Sequence, residues 1–231
     1  MKTIGIIGGL SWESTLVYYK IMNEYAKEKL GGYHSAKIIL YSFDFSEVHF
    51  LQVKKEWEKL ADVLIDVAKR LQKSGADFLV IASNTTHMFF NDIKKSISIP
   101  VLHIADATAA TIKDKGLKRV GLLGTKLTME KDFYIRRLES KHGIETIVPG
   151  KKDRDVINNI IFNELVLGRI KESSREKLIA IIESLVKRGA EGIILGCTEI
   201  PLLIKQKDVS VPIFNTTSIH AKAAVNYALR D

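Results

Sequence analysis

Gly189-Ala190-Glu191-Gly192-Ile193-Ile194-Leu195-Gly196-Cys197-Thr198-Glu199 is a buried-strand pattern that delivers the only cysteine of the chain into a loop of small and polar residues. The run after Glu191 does not alternate, as expected of a strand covered on both faces. It ends where the carboxyl end of a parallel strand opens onto a crevice, the place where α/β sheets keep their sites. The same order occurs earlier as Gly75-Ala76-Asp77-Phe78-Leu79-Val80-Ile81-Ala82-Ser83-Asn84-Thr85. Cys197 falls on Ser83 at a shift of 114 residues, so the chain reads as a duplication with one thiol missing.

Two further matches support the repeat. Lys118-Arg119-Val120-Gly121-Leu122-Leu123-Gly124-Thr125 answers Lys2 to Gly9 at a shift of 116, and Val211-Pro212-Ile213-Phe214 answers Ile99-Pro100-Val101-Leu102 at a shift of 112. Between these strands lie helical patterns. One opens after Gly8-Gly9-Leu10-Ser11 and runs to Leu30; a long amphipathic one reaches Ser74, with Leu60, Val63, Leu64, Val67, Ala68 and Leu71 on one face. Strands are predicted at 3–8, 36–43, within 75–85 and at 101–104, then within 118–125, at 145–148, within 189–199 and at 211–214. The last helix is predicted from Ser218 to Leu229. Strands alternating with helices make doubly wound units. The expectation is an α/β protein of two pseudo-symmetric, flavodoxin-like parallel-sheet units, residues 1–103 plus 212–231 and residues 104–211, with the active site in the cleft between them.

At 231 residues the chain is long enough for two modest cores. An apolar fraction of 46% and a charged fraction of 27% exclude disordered and collagen-like classes. A single cysteine forms no internal disulfide, and Met1 to Gly9 reads as a strand entering a glycine turn rather than a signal peptide, so a cytoplasmic protein is expected. No apolar run is long enough to span a bilayer, which leaves no membrane partner. The net charge of +8 is spread over short pairs such as Lys54-Lys55, Lys94-Lys95, Arg136-Arg137 and Lys151-Lys152, without interleaved aromatics. That pattern fits a solvated surface and no nucleic-acid partner. There is no G-x-G-x-x-G or G-x-x-x-x-G-K-[ST] spacing for a dinucleotide or nucleoside phosphate.

The small and polar loops carry the chemistry. Ser11 or Ser14 can cap the first helix, whose amino end suits an anion; a ligand-free tight turn is the plainer alternative. Asn84, Thr85 and Thr198 can hold a carboxylate with side-chain and backbone donors, or simply cap the helices that follow them. Thr125 lines the matching turn of the second unit. His87, Glu199 and His220 either tune a thiol or are structural.

These motifs, Gly8-Gly9-Leu10-Ser11-Trp12-Glu13-Ser14-Thr15, Asn84-Thr85-Thr86-His87, Gly124-Thr125 and Gly196-Cys197-Thr198-Glu199, resemble those of the aspartate/glutamate racemase family along the whole chain. The resemblance implies a homodimer and needs no cofactor or metal. It implies that two cysteines on opposite faces of an amino acid's Cα exchange its proton, one as thiolate and one as thiol. Cys197 matches the second cysteine, and Ser83 stands where the first would be. The resemblance makes Asn84, Thr85 and Thr198 carboxylate contacts. A thiol, with an ordinary pKa near 8.5, serves as acid or base close to neutrality, whereas a serine hydroxyl does not. A buried free cysteine is otherwise a small hydrophobe.

Aspartate-specific members of that family clasp the distal carboxylate with an arginine after the second strand and a lysine on a helix of the second half. Here those places read Asp44-Phe45-Ser46-Glu47 and Ile160-Ile161-Phe162-Asn163-Glu164-Leu165. Glu164 would repel a distal carboxylate, which favours a neutral or basic side chain. Four readings follow: a racemase with one thiol replaced by Ser83; a single-thiol decarboxylase or isomerase of the same superfamily; an amino-acid-binding module that has lost turnover; or a Cys-to-Ser change introduced at position 83 to trap a ligand.

Overall fold

The structure, a computed structural model, describes residues 1–230. Eight strands fall into two four-stranded parallel sheets among the described residues. In the first, β1 (Ile4–Gly8), β2 (Ile38–Ser42), β3 (Phe78–Ile81) and β4 (Val101–Leu102) take the order β2-β1-β3-β4. In the second, β5 (Arg119–Gly124), β6 (Glu145–Ile147), β7 (Gly192–Gly196) and β8 (Ile213–Asn215) take the order β6-β5-β7-β8. Helices α1 (Trp12–Leu30), α2 (Phe45–Val53), α3 (Trp57–Lys73) and α4 (Phe90–Ser96) belong to the first unit. Helix α5 (Ile104–Asp114) leads into the second, which carries α6 (Lys126–Glu130), α7 (Asp132–His142), α8 (Lys151–Asn163), α9 (Glu172–Lys187) and α10 (Ile200–Leu203). Helix α11 (Thr216–Ala228) closes the chain.

The ladders repeat as the sequence does. Ile4 pairs with Phe78 where Val120 pairs with Gly192, and Leu79 pairs with Val101 where Ile193 pairs with Ile213. The Gly-Ala-acid element has a structural explanation. Gly75 and Gly189 take positive φ, 96° and 93°, to end α3 and α9. The acid then turns back on the neighbouring strand: Asp77 Oδ2 accepts from Thr3 N, and Glu191 Oε2 accepts from Lys118 N at 2.8 Å and Arg119 N at 3.0 Å.

The first unit comprises Met1–Ile104 with the chain from His220 onward, and the second Ala105–Ile219. The return to the first unit is later than the expected boundary at 212, because β8 hydrogen-bonds to β7 and so belongs to the second sheet. The first sheet is buried on both faces, with the period of two expected of strands. Ile4, Ile6, Phe78 and Val80 pack with Tyr18 and Met22 of α1 and Ala224 and Val225 of α11. Ile7, Leu79 and Ile81 pack on the opposite face with Leu60, Leu64 and Val67 of α3. Truncating one such residue, Leu64→Ala for example, is expected to cost about 2–5 kcal/mol.

The single helix expected to run to Ser74 is two helices. The chain turns at Lys54, Lys55 and Glu56, whose amides bond back to Phe50, Gln52 and Leu51 carbonyls, and Lys55 takes a left-handed φ of 57°. Only α3 carries the apolar stripe; of α2, Val48 alone is fully buried. No helix among the described residues is long and apolar enough to cross a membrane.

Candidate active site

Every loop singled out above follows the carboxyl end of a central strand, β1 or β3 in the first unit and β5 or β7 in the second. Their polar side chains are buried: Ser11, Ser83, Asn84, Thr125, Cys197, Thr198 and Glu199 are each at most 7% exposed. Buried polar groups at strand ends cost stability unless they are bonded, so their partners define the site.

After β1 the chain bends at Gly9, φ 72°, where a Cβ would lie 2.1 Å from Phe43 N; no side chain fits. Gly9 N donates to Thr15 Oγ1 at 2.8 Å, and that hydroxyl donates to Ser11 O at 2.8 Å. Ser11 occupies the N-cap position of α1, but its hydroxyl does not cap; it lies 3.4 Å from Ser14 Oγ. After β5, Thr125 does cap α6, its Oγ1 accepting from Thr128 N at 3.3 Å.

The Ser83 loop leads into a one-turn 3-10 helix, Thr85–Phe89. Ser83 Oγ accepts from Thr86 N at 3.4 Å, and Asn84 has helical backbone angles without a side-chain cap. His87 pins this turn. Its Nε2 accepts from Ile104 N at 3.1 Å, so the ring proton sits on Nδ1, which lies 2.6 Å from Ser83 O and donates to it. With both nitrogens held by backbone, His87 does not act as a base toward the Ser83 hydroxyl. Next to it, His103 lies 4.5 Å away between ring centroids. His220 sits 5.9 Å from the His87 ring, accepts from Tyr18 Oη through Nδ1 at 3.0 Å and donates through Nε2 to Leu102 O at 3.1 Å. Burial holds the His220 pKa down to about 4, against a slight upward pull from the Leu102 carbonyl.

The Cys197 loop is built differently. Cys197 Sγ donates to Glu199 Oε2 at 2.9 Å, and Thr198 Oγ1 donates to the same carboxylate, 3.1 and 3.0 Å from its two oxygens. Burial first, then the charge of Glu199 and its hydrogen bond, push the thiol well above its ordinary pKa; the Glu199 and Ile200 backbone amides pull the other way. Cys197 therefore rests as a thiol. No group of metal-ligating side chains occurs among the described residues.

Glu164 lies at the end of α8, where Ser174 Oγ donates to it at 2.6 Å and Lys171 Nζ at 3.1 Å. The Ser174 hydrogen bond and Lys171 lower its pKa. Asp44 caps α2 by accepting from Ser46 N at 2.9 Å. Sequence reasoning did not single out Thr15, whose hydroxyl ties the first turn, and gave Glu199 no definite role. The spacing Cys-x-acid after a strand was the available signal for the second.

A duplicated α/β chain of two four-stranded parallel-sheet units, with one buried thiol at the end of β7 and a hydroxyl at its repeat position after β3, has the two-unit α/β fold of the Asp/Glu racemases. Residues 7–224 match the model of the Asp/Glu/Hydantoin racemase family, and the chain belongs to that family. Its structure is similar to that of a Yersinia pestis chain assigned as an Asp/Glu racemase, 51% identical with full coverage of both chains and a TM-score of 0.93. It is also similar to an aspartate racemase homologue from Pyrococcus horikoshii OT3, 43% identical, again with full coverage of both chains and a TM-score of 0.86. In sequence it is 24% identical to the broad specificity amino-acid racemase RacX of Bacillus subtilis (strain 168), over 96% of each chain.

Proposed function

We propose that this protein is a cofactor-independent amino-acid racemase in which Cys197 exchanges the Cα proton and Ser83 stands in for the second thiol. The observation that carries the reading is the pairing of positions: the same strand end, two residues beyond equivalent ladder partners, bears a thiol after β7 and a hydroxyl after β3. Inverting Cα through a planar carbanion needs a base on one face and an acid on the other. In this reading Cys197, once a thiolate, takes the proton; the electron pair stays on Cα, spread into the substrate carboxylate. Asn84, Thr85, Thr198, Ser11 and Thr125 bind the substrate. The burial of Asn84, Thr198, Ser11 and Thr125 supports this. The reading requires the Ser83 and Cys197 loops to reach one Cα, works in a homodimer and places the protein in the cytoplasm.

The distal group is left open. Lys171 opposes the charge of Glu164, which weakens the like-charge case against a distal carboxylate, and the loop after β2 reads Asp44-Phe45-Ser46-Glu47, without an arginine. The names of the relatives, aspartate racemase homologue and broad specificity racemase, support testing acidic, neutral and basic amino acids alike.

Incubation of single amino acids in D2O, followed by NMR for loss of the Cα proton and by chiral analysis of product, tests the reading. One-sided exchange with slow inversion is expected. Exchange from neither enantiomer of any amino acid would overturn it. A second reading, a single-thiol decarboxylase or isomerase, is favoured by the hydroxyl at position 83, and release of CO2 without Cα exchange would identify the decarboxylase.

A further inference from the structure

Cys197 is the only thiol of the chain, and its hydrogen bond runs into a carboxylate two residues on that is itself 3% exposed. A thiol that must become a thiolate inside a buried loop needs an acceptor for its proton within hydrogen-bond reach. Glu199 Oε2 lies 2.9 Å from Sγ. The second hydroxyl donor, Thr198 Oγ1, holds the carboxylate in place against the thiol. At the repeat position in the first unit, Ser83 is followed two residues on by Thr85, which cannot accept a proton from a thiol or hydroxyl as a carboxylate does. Its nearest histidine is committed to backbone through both nitrogens.

We propose that Glu199 is the proton-holding partner of Cys197, a positioning residue that acts through the thiol and does not itself touch the substrate. This rests on the reading of Cys197 as the acid/base group. The S–H bond breaks as an O–H bond forms on Glu199, leaving a thiolate beside a neutral carboxylic acid. The thiolate then takes hydrogen from Cα: the C–H bond breaks, S–H forms, and the electron pair remains on the substrate. Return of a proton from sulfur to the same face restores the thiolate. When water protonates the opposite face instead, the hydroxide released is neutralised by the proton left on Cys197, relayed through solvent. The neutral acid serves a second end, because a carboxylate beside a newly formed thiolate would repel it in a low-dielectric loop.

The test compares Glu199→Gln and Glu199→Asp with the unaltered protein, each checked for fold by circular dichroism and thermal unfolding. Two readouts are taken: Cα exchange in D2O, and the pH profile of iodoacetamide alkylation, which reports Cys197 alone because no other cysteine exists. In Glu199→Gln, exchange is expected to fall on the order of 100-fold or more. The alkylation midpoint is expected to move to lower pH, since the charge that opposes the thiolate is gone. The thiol thus becomes more reactive while the enzyme becomes slower, a split that damage to the loop would not produce. Glu199→Asp is expected to recover part of the exchange. Exchange by Glu199→Gln within about threefold of the unaltered rate overturns the proposal, since far more is expected of a proton-transfer partner. So does an unmoved alkylation midpoint. If the unaltered protein exchanges no amino acid, the racemase reading fails on its own, and the alkylation profile still decides whether Glu199 controls the thiol's proton.

Discussion

The two strand-end loops that the duplication places in register differ more in their partners than in their shape. After β7, Cys197 and Thr198 both point hydrogens at Glu199; after β3, Ser83 accepts from a backbone amide and its carbonyl is braced by His87. In one loop the thiol and a hydroxyl share a carboxylate; in the other the hydroxyl and a carbonyl are tied to a backbone amide and an imidazole. The lesson is that replacing a thiol by a hydroxyl is not the whole asymmetry, because the acceptor two residues on differs too, Glu199 against Thr85.

The largest effect expected is from Cys197→Ala. A small residue replaces a small one, so fold and ligand binding are retained, but Cα exchange should fall below detection, a loss on the order of 100-fold or more. Exchange at the unaltered rate in this variant would dissolve the functional difference between the loops.

Ser83→Cys should act in the opposite direction. It supplies an acid on the other face, and racemisation is expected to rise on the order of 100-fold, in kcat more than in KM, because the new interaction is made in the transition state. The new thiol has no carboxylate at the Glu199 position, so with burial similar on the two sides its alkylation midpoint is expected below that of Cys197. Mass spectrometry of the two alkylated peptides separates them. If both thiols alkylate with one midpoint, Glu199 does not distinguish the loops.

Acid should separate the two units themselves. His220, in the first unit, is buried neutral with its pKa held near 4, against an ordinary 6.5. A depressed histidine means the unfolded chain binds the extra proton first, so its contribution is complete above pH 6.5 and is lost as pH falls towards 4, on the order of 3 kcal/mol. In the second unit Asp106 is bound by Arg137 Nε and Nη2, each at 2.7 Å, and by Lys141 and His142. These hydrogen bonds outweigh burial and hold its carboxyl far below the usual range. That contribution is present above pH 3.8 and is lost only on further acidification. Hydrogen exchange at pH 5 should therefore show the first unit opening before the second, and His220→Gln should flatten the change. Equal opening would mean that the units unfold as one.

Much of this was legible in the sequence because the repeat fixes three constraints at once. The shifts of 116, 114 and 112 correspond to ladder partners, Ile4 with Phe78 and Val120 with Gly192, Leu79 with Val101 and Ile193 with Ile213. What the repeat does not carry is where it is broken. The turn at Lys55 lacks a glycine signal, and the unit boundary falls inside α11, beyond the last strand. The site residues were visible as polar residues at strand ends, but their partners were not. That Asn84 leaves its helix uncapped while Thr125 caps, or that His87 reaches Ile104, depends on side-chain directions that no spacing encodes.

The smallest effects should come from the pair that looks most alike. Asp77 and Glu191 accept from backbone amides at the start of β1 and β5, and the Lys118 and Arg119 amides lower the Glu191 pKa. Neither is near a strand's carboxyl end, so Asp77→Asn and Glu191→Gln, which keep size and remove charge, should leave Cα exchange unchanged. Each should lower Tm slightly. The Glu191 contribution is present above pH 4.5 and fades as pH drops through its lowered value, so the Glu191→Gln difference should vanish in acid. The two residues share no partner among these bonds, and their effects should add in the double variant. A departure from additivity would reveal coupling between the units that the equivalent bonds within each do not require, and would identify the acid after Gly-Ala as more than a local fastening of one strand to the next.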